Sequence, residues 1–522
     1  MKRELTLFRK GLLGAGAGIY AVLYALYSQI DQWGQLKLGI WGTVGRFALA
    51  YPIALLVLML LFVYVMPRME VSPDTPGCGK SFCVRGVWLL LLCAYTPMFL
   101  IVFPGSFTYD SMTQIAQIAS GQYDAFHPLL HTLMIRACLS LYDVFQSMER
   151  CGAVYSVIQM ILVSGLFAQT CGVISKIVSC RAAWWSAVFF ALYPSHFAFA
   201  SNCTKDVLFS ACIALFLALC LEEITDGNLR AGQRVFRLAM GTLACLLRNN
   251  MIYAMAVWAV VLLFAGKRLR PIAVCGILSV VLSFGLNSAL IRGLHADDGN
   301  VREMLSIPMQ QLARAKLYAP EVFDEEESAL LDELIADQAY QHYNPTISDG
   351  VKNALIEERF LENPKQAFGL WLSVGRKCPK VYLDAFLNQT CASMYPYTEY
   401  MHNFAYIDIG SGRALTAPFG LPPIHPPARF EKARTWLHEH LFKNGADEHP
   451  VFRWIFNTGL VFWLLLAHVI YEIYLGNRAR VLVFFLLVLL WGTYLLGPIM
   501  YGRYLYPFVC ALPLFVFRRK RE

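Results

Sequence analysis

Charge is scarce in this 522-residue chain: Asp, Glu, Lys and Arg make up only 15% of it, against 57% hydrophobic residues. A soluble domain needs more polar surface than that to face water, so a wholly water-exposed fold is excluded. The net charge of +8 is not gathered into one stripe; basic residues come in short clusters between apolar runs, which excludes a nucleic-acid footprint. The fifteen cysteines include no CxxC pair and no metal-ligand spacing. Several of them, such as Cys93, Cys212 and Cys220, lie inside apolar runs and read as small core residues. GxGxxG, GxxxxGK[ST] and any repeat of fixed period are also missing. No small-residue cleavage site follows the apolar stretch after "MKRELTLFRK", which is too long for a signal peptide and reads as a first span.

Long apolar runs are what the chain does have, with a mean hydropathy of +0.48. A bilayer core takes about 20 apolar residues per helix. Candidate spans lie at 11–30, 43–66, 87–103, 152–174, 183–200, 207–221, 236–248, 250–266, 272–291, 451–475, 481–499 and 504–517. The expected fold is therefore an all-α polytopic membrane protein of about twelve transmembrane helices. Alternating the spans puts Lys2/Arg3/Arg9/Lys10, Arg68/Lys80/Arg85, Lys176/Arg181, Arg230/Arg234, Lys267/Arg268/Arg270, Arg478/Arg480 and Arg518/Arg519/Lys520/Arg521 on one side. By the positive-inside rule that side is the cytoplasm, with both termini on it. The protein is then expected in the cytoplasmic membrane as a multi-pass chain. Three parts follow: an N-terminal transmembrane module, 1–292, with a large outer loop at 104–151; a mainly helical extracytoplasmic region, 293–449; and C-terminal transmembrane helices, 450–522. Within the outer loop "HPLLHTLMIRACLSLYDVF" looks helical, but counting it as a span would invert every later basic cluster, so it is expected to be interfacial or re-entrant.

Ionisable groups near a membrane are costly and raise a functional hypothesis. Asp110, in "PGSFTYDSMTQ", has Gln114 and Gln117 on its helical face; it is a candidate reactive carboxylate or else a helix cap. In "GQYDAFHPLLHT", His127 and His131 share a face; they are ligand-bonding side chains or local caps, and no third ligand suggests zinc. Lys205 and Asp206, in "SNCTKDVLFS", lie on the outer side against the positive-inside trend, as an anion site or a snorkelling lysine. Arg248 and Asn249, in "LLRNN", invite a phosphate or an internal salt bridge. Arg503 and Tyr504, in "GPIMYGRYLYPF", start the last span, and Gln310, Gln311 and Arg314, in "SIPMQQLARAK", are ligand contacts or solvated helix residues. Together these place cations and carboxylates at one depth on one face, which fits a lipid-linked phosphate.

The run of "FPGSFTYDSMTQ", "HPLLHT", "KDVLFS", "LLRNN", "SIPMQQLAR" and "RYLYP" resembles the GT-C superfamily of membrane glycosyltransferases, and within it a Gram-positive bacterial family, over most of the chain from about residue 87. The resemblance implies transfer of a monosaccharide from a polyprenyl-phosphate donor to an acceptor hydroxyl of a cell-envelope glycan, lipid or protein, outside the cytoplasmic membrane. Asp110 matches the superfamily's catalytic acidic residue and would be the general base of an inverting displacement. His127, His131, Lys205, Asp206, Arg248, Asn249, Gln310, Gln311, Arg314, Arg503 and Tyr504 would bind substrate. A divalent metal is compatible with this scheme but not required by it. Many relatives carry a second acidic residue beside the first, whereas this chain has Ser111, which weakens the case for a metal held by adjacent carboxylates. A ligase or polymerase of lipid-linked glycans, and a flippase, are the competing functions.

Overall fold

Every segment long enough to span becomes helical, in a computed structural model that describes residues 6–37, 39–71, 82–108, 110–227, 229–297, 301–398, 413–440, 449–500 and 502–519. Lys2, Arg3, Lys80, Lys520, Arg521 and most of the aromatic stretch "MYPYTEYMHNFAYIDIG" lie outside the described residues. The main helices are α1 (Leu7–Trp33), α2 (Trp41–Met69), α3 (Val84–Ile101), α4 (Asp110–Ser120), α5 (Leu129–Leu139), α6 (Met148–Ile177), α7 (Cys180–Leu192), α8 (Pro194–Ala200), α9 (Lys205–Asp226), α10 (Ala231–Leu247), α11 (Asn249–Ala265), α12 (Lys267–Leu294), α13 (Ser306–Tyr318), α14 (Pro364–Lys377), α15 (Pro379–Met394), α16 (Thr458–Tyr474), α17 (Arg478–Leu495) and α18 (Gly502–Val516).

Seven of these, α1, α2, α3, α6, α9, α12 and α17, are long and apolar enough to cross a membrane; α7, α11, α16 and α18 are apolar but shorter. Helix α10 falls in neither group because it carries Arg234 and Arg237. Arg237 is buried and ion-paired to Glu223 on α9, so a polar face is turned inward rather than towards lipid. The stretch expected to be interfacial forms α5, whose eleven residues are too few for a span. Of the cysteines read as core, Cys212 and Cys220 are buried, whereas Cys93 faces outward on α3.

Helix α9 is the axis of the bundle. Its apolar window is entirely buried, the pattern of a helix hydrophobic all round. It packs against α6, α10, α17 and α18. Thr204 caps its start by accepting from the Asp206 amide, and Gly227 ends it at φ 82°. Lys205 and Asp206 therefore emerge at the head of the most enclosed helix of the fold. A separate apolar cluster within residues 305–382 gives the region around α13 and α14 its own core. Helix α15 leaves that core: Tyr27 on α1 meets Thr390 at 2.9 Å, and Trp463 on α16 donates to the Met394 carbonyl at 2.9 Å.

At the opposite end, Glu70–Val71 pairs in parallel with Arg518–Arg519. Arg518 and Arg480 both bond the buried Glu472 on α16, at 3.3 and 2.9 Å, so the carboxylate's burial is compensated.

Close helix approach sets the bundle's tightness. A Cβ at Gly241 on α10 would collide with Ser279 Oγ on α12 and lie 3.0 Å from Phe216 on α9. Gly241→Leu is expected to cost about 1–3 kcal/mol by overpacking. It should lower the midpoint of thermal unfolding in detergent, whereas the same change at Gly18, which meets nothing within 4 Å, should not.

Candidate functional site

The loop before Asp110 is stitched to the turn before Lys205. Ser106 N donates to the Ser201 carbonyl at 3.0 Å, and Cys203 N donates back to Ser106 O at 2.8 Å. Gly105 makes the approach feasible: at φ +126° it lies where a Cβ would collide with Ser156 Oγ and come within 3.0 Å of Ser201 O. This short bridge delivers Asp110, the first residue of α4, to the head of α9.

There the charges interlock. Lys205 Nζ donates to Asp110 Oδ2 at 2.7 Å, and Arg503 donates to Asp110 Oδ1 at 3.0 Å. Arg503 also faces Asp206 across 3.7 Å, and Asp206 is ion-paired to Arg248. Three cations thus meet two carboxylates, leaving one net positive charge in a site whose members are 1–13% exposed at their side chains. Arg248 lies against the rings of both Tyr494 and Tyr504, 4.6 and 4.2 Å from their centroids, and Nε donates to Asn250 at 3.1 Å. Arg503 lies 5.3 Å from the Tyr504 ring. Five of the residues singled out in the sequence, Asp110, Lys205, Asp206, Arg248 and Arg503, therefore form one circuit, with Tyr504 as a wall.

His127 joins it directly, with Nδ1 3.3 Å from Lys205 Nζ. Asn249 binds the Ala125 carbonyl at 3.3 Å and so secures the loop that carries His127. His131 plays another part. Both its ring nitrogens are used inside the protein, by Gln114 Oε1 at 2.7 Å and by Tyr155 OH at 2.7 Å. Tyr155 donates on to Gln159 at 2.9 Å, whose amide nitrogen bonds the carbonyls of Phe199, Ala200 and Asn202. A buried polar relay thus runs from α4 through α5 and α6 to the turn that presents Lys205. Tyr155 and Gln159 were missed in the sequence; their only signal is two polar side chains at helical spacing within an apolar run.

Gln310, Gln311 and Arg314 bond elsewhere. Gln310 donates to the Pro345 carbonyl at 3.4 Å, Gln311 to Tyr382 O at 3.2 Å, and Arg314 to Tyr343 OH at 2.9 Å and Gly34 O at 2.7 Å. None of these partners belongs to the charged circuit; they tie α13 to the outer core and to the end of α1. Asn202 Oδ1 and the Gln117 amide, both buried, have no partner among the described residues. They are hydrogen-bonding capacity that a polar ligand or water would satisfy.

Burial raises the Asp110 carboxyl, but the neighbouring Arg503 and Lys205, with His127, outweigh it and hold the group well below the usual carboxylate range. Burial and then Lys205 push His127 down to about 3, and the same two causes push His131 to about 3, so both rings are neutral. Each oxygen of Asp110 is engaged by a cation, and no group of three or more His, Cys, Asp or Glu among the described residues could hold a metal ion. The donor set does not fit a divalent metal.

A protein family described as a family of unknown function (DUF6020) matches residues 122–522. The chain belongs to it. No curated protein and no solved structure matches the chain. The family match takes in the turns bearing Lys205, Arg248 and Arg503 together with His127 and His131, and begins beyond Asp110.

The neutral histidines set a pH dependence. The unfolded chain takes up protons on His127 and His131 below about 6.5, whereas the folded chain does so only near 3. Stability is therefore full above that upper value and falls as pH drops through the window, by about 1.4 kcal/mol per pH unit for each ring. Asp110, whose folded value is depressed, adds stability that is full above about 4 and is lost only as pH falls below that. Thermal melts from pH 7 to about 4.5 should show this loss, and His131→Asn should flatten the slope.

Proposed function

We propose that the chain is a GT-C-type membrane glycosyltransferase that transfers a monosaccharide from a polyprenyl-phosphate donor to an acceptor hydroxyl outside the cytoplasmic membrane. The observation that carries this reading is a carboxylate held jointly by an ammonium and a guanidinium, with an apolar groove whose lining begins within a helical turn of Lys205 and beside Arg248. That groove, about 590 Å³, lies between α3, α5, α6, α9 and α10. Its upper wall includes Leu208, three residues beyond Lys205, and Leu247, next to Arg248. A phosphate at the cations would leave its hydrocarbon tail facing this groove, and the surplus positive charge favours an anion. The basic loops lie at the other ends of the spans, which supports an extracytoplasmic site.

The chemistry follows from the pairing. A carboxylate bonded to two cations is a weak base. The donor phosphate competes for Lys205 and Arg503, and as they turn to it Asp110 is released to face the acceptor. The acceptor oxygen forms its bond to the anomeric carbon as the carbon–phosphate-oxygen bond breaks. The hydroxyl proton passes to Asp110, and polyprenyl phosphate leaves with the electron pair, its charge held by Lys205 and Arg503 in a partly dry site. With one base and no second nucleophile, the anomeric configuration inverts. Asn202 and Gln117 offer partners for sugar hydroxyls.

Purified protein given lipid-linked monosaccharide donors should release polyprenyl phosphate, and Asp110→Asn should slow this by about 10² to 10⁴. The acceptor, whether glycan, lipid or protein, is identified by comparing envelope glycans of a deletion strain with its parent. An unchanged envelope in cells carrying Asp110→Asn, alongside loss of the glycan in Arg503→Ala, would overturn the base assignment in favour of a ligase. The pH profiles should differ too. The acid limb of kcat/KM, which reports the free enzyme, should lie below the usual carboxylate range because Arg503 and Lys205 outweigh the effect of burial on Asp110. The limb of kcat, set in the donor complex, should lie higher, because the phosphate has taken both cations.

A further inference from the structure

We infer that the groove reads only the first few isoprene units of the donor tail, and that Gly165 keeps it open. This rests on the lipid-phosphate reading above. Along α10 the lining runs from Leu247 at the charged end down to Phe236, eleven residues, or about 16 Å at 1.5 Å per residue. An extended isoprene unit, four carbon–carbon bonds of about 1.5 Å in zigzag, advances about 5 Å. Roughly three units therefore fill the groove.

Its lower end is not hydrocarbon-like. Arg85 and Gln169 line it there, where an apolar chain gains nothing by continuing. The side towards lipid is open instead: Ile161 and Leu162, on the same wall, are 40% and 44% exposed. The fourth and later units must leave sideways into the bilayer, where they touch lipid rather than protein. Tail recognition then saturates after about three units however long the natural tail is.

Gly165 stands on the α6 wall opposite Trp88, whose indole nitrogen lies 3.6 Å from where a Cβ at Gly165 would be. Trp88 is fixed in turn, donating to the Ile161 carbonyl at 3.2 Å. A large side chain at Gly165 has no room except the groove itself, whereas a single methyl makes an ordinary contact.

The test uses isoprenyl phosphates of two, four and eleven units, titrated against the full-length protein in nanodiscs, with Kd expressed as mole fraction of lipid so that membrane partitioning drops out. Binding should tighten several-fold from two to four units and no further at eleven. Gly165→Phe should remove that gain while leaving the two-unit phosphate bound as in the wild type, and Gly165→Ala should keep it. Leu162→Trp, which narrows the groove from its exposed side, serves as a second block should Gly165→Phe fail to fold. Affinity that keeps rising to eleven units, or a gain that survives both blocks, would overturn the groove assignment alone. Absence of binding at every length, or two-unit binding unchanged in Lys205→Met, would overturn the head-group reading instead.

Discussion

Buried charge must be matched, and that constraint organises this protein. Asp110, Lys205, Asp206, Arg248 and Arg503 come from four separate stretches of chain, and each would be expensive in a membrane-embedded bundle by itself. Brought together they neutralise one another almost completely. The enclosed helix α9, with its Thr204 cap, supplies two of the five from adjacent positions. The rest of the local architecture can be understood as what carries the other three to it: the Gly105 approach and Ser106 bridge for Asp110, the α10–α11 turn for Arg248, and the start of α18 for Arg503.

Much of this circuit was legible before any coordinates. A lysine, two arginines and two aspartates at the ends of apolar runs violate the composition around them, and such a violation is visible in a single chain. What holds them was not. Gln114 reaches His131 across 17 positions, and Gln159 reaches the 199–202 turn across some 40. Neither partner carries a local signal, because a buried hydrogen bond between helices leaves no periodicity in either. Gln310, Gln311 and Arg314 mislead for the converse reason: polar residues at the start of a helix after an apolar run look available, yet backbone carbonyls of the outer region and of Gly34 take them up. Spans show the same asymmetry. A run such as α9 announces itself, while α10 is helical in the expected place but mixes lipid-facing residues with an arginine whose charge is matched by Glu223, a pairing no hydropathy window sees.

The relay through His131 also explains why that histidine is not interchangeable with His127, although the two share a helical face. His127 points its Nδ1 at Lys205 and belongs to the charged circuit. His131 has spent both nitrogens on Gln114 and Tyr155 and has none left for a ligand. Each ring stays neutral because burial and the same lysine oppose a proton on it. A neutral His127 can accept from the Lys205 ammonium. A charged one would push the ammonium away and loosen its hold on Asp110.

The circuit does not quite close. Three cations against two carboxylates leave one positive charge unmatched in an enclosed site, and enclosure makes that imbalance costly. Enlarging the acidic side would remove the cost but also the attraction for an anion, and truncating the basic side would strand Asp110 or Asp206. A phosphate monoanion balances the site without changing any residue, and it does so at the two cations that otherwise hold Asp110. In the proposed mechanism, charge balance and release of the base would be one event: the same anion that relieves the excess charge would also free the carboxylate. On the proposed glycosyltransferase reading, a neutral sugar without its lipid phosphate would achieve neither, so the base would stay masked until the full donor was in place, which would protect the bound sugar from adventitious attack by water.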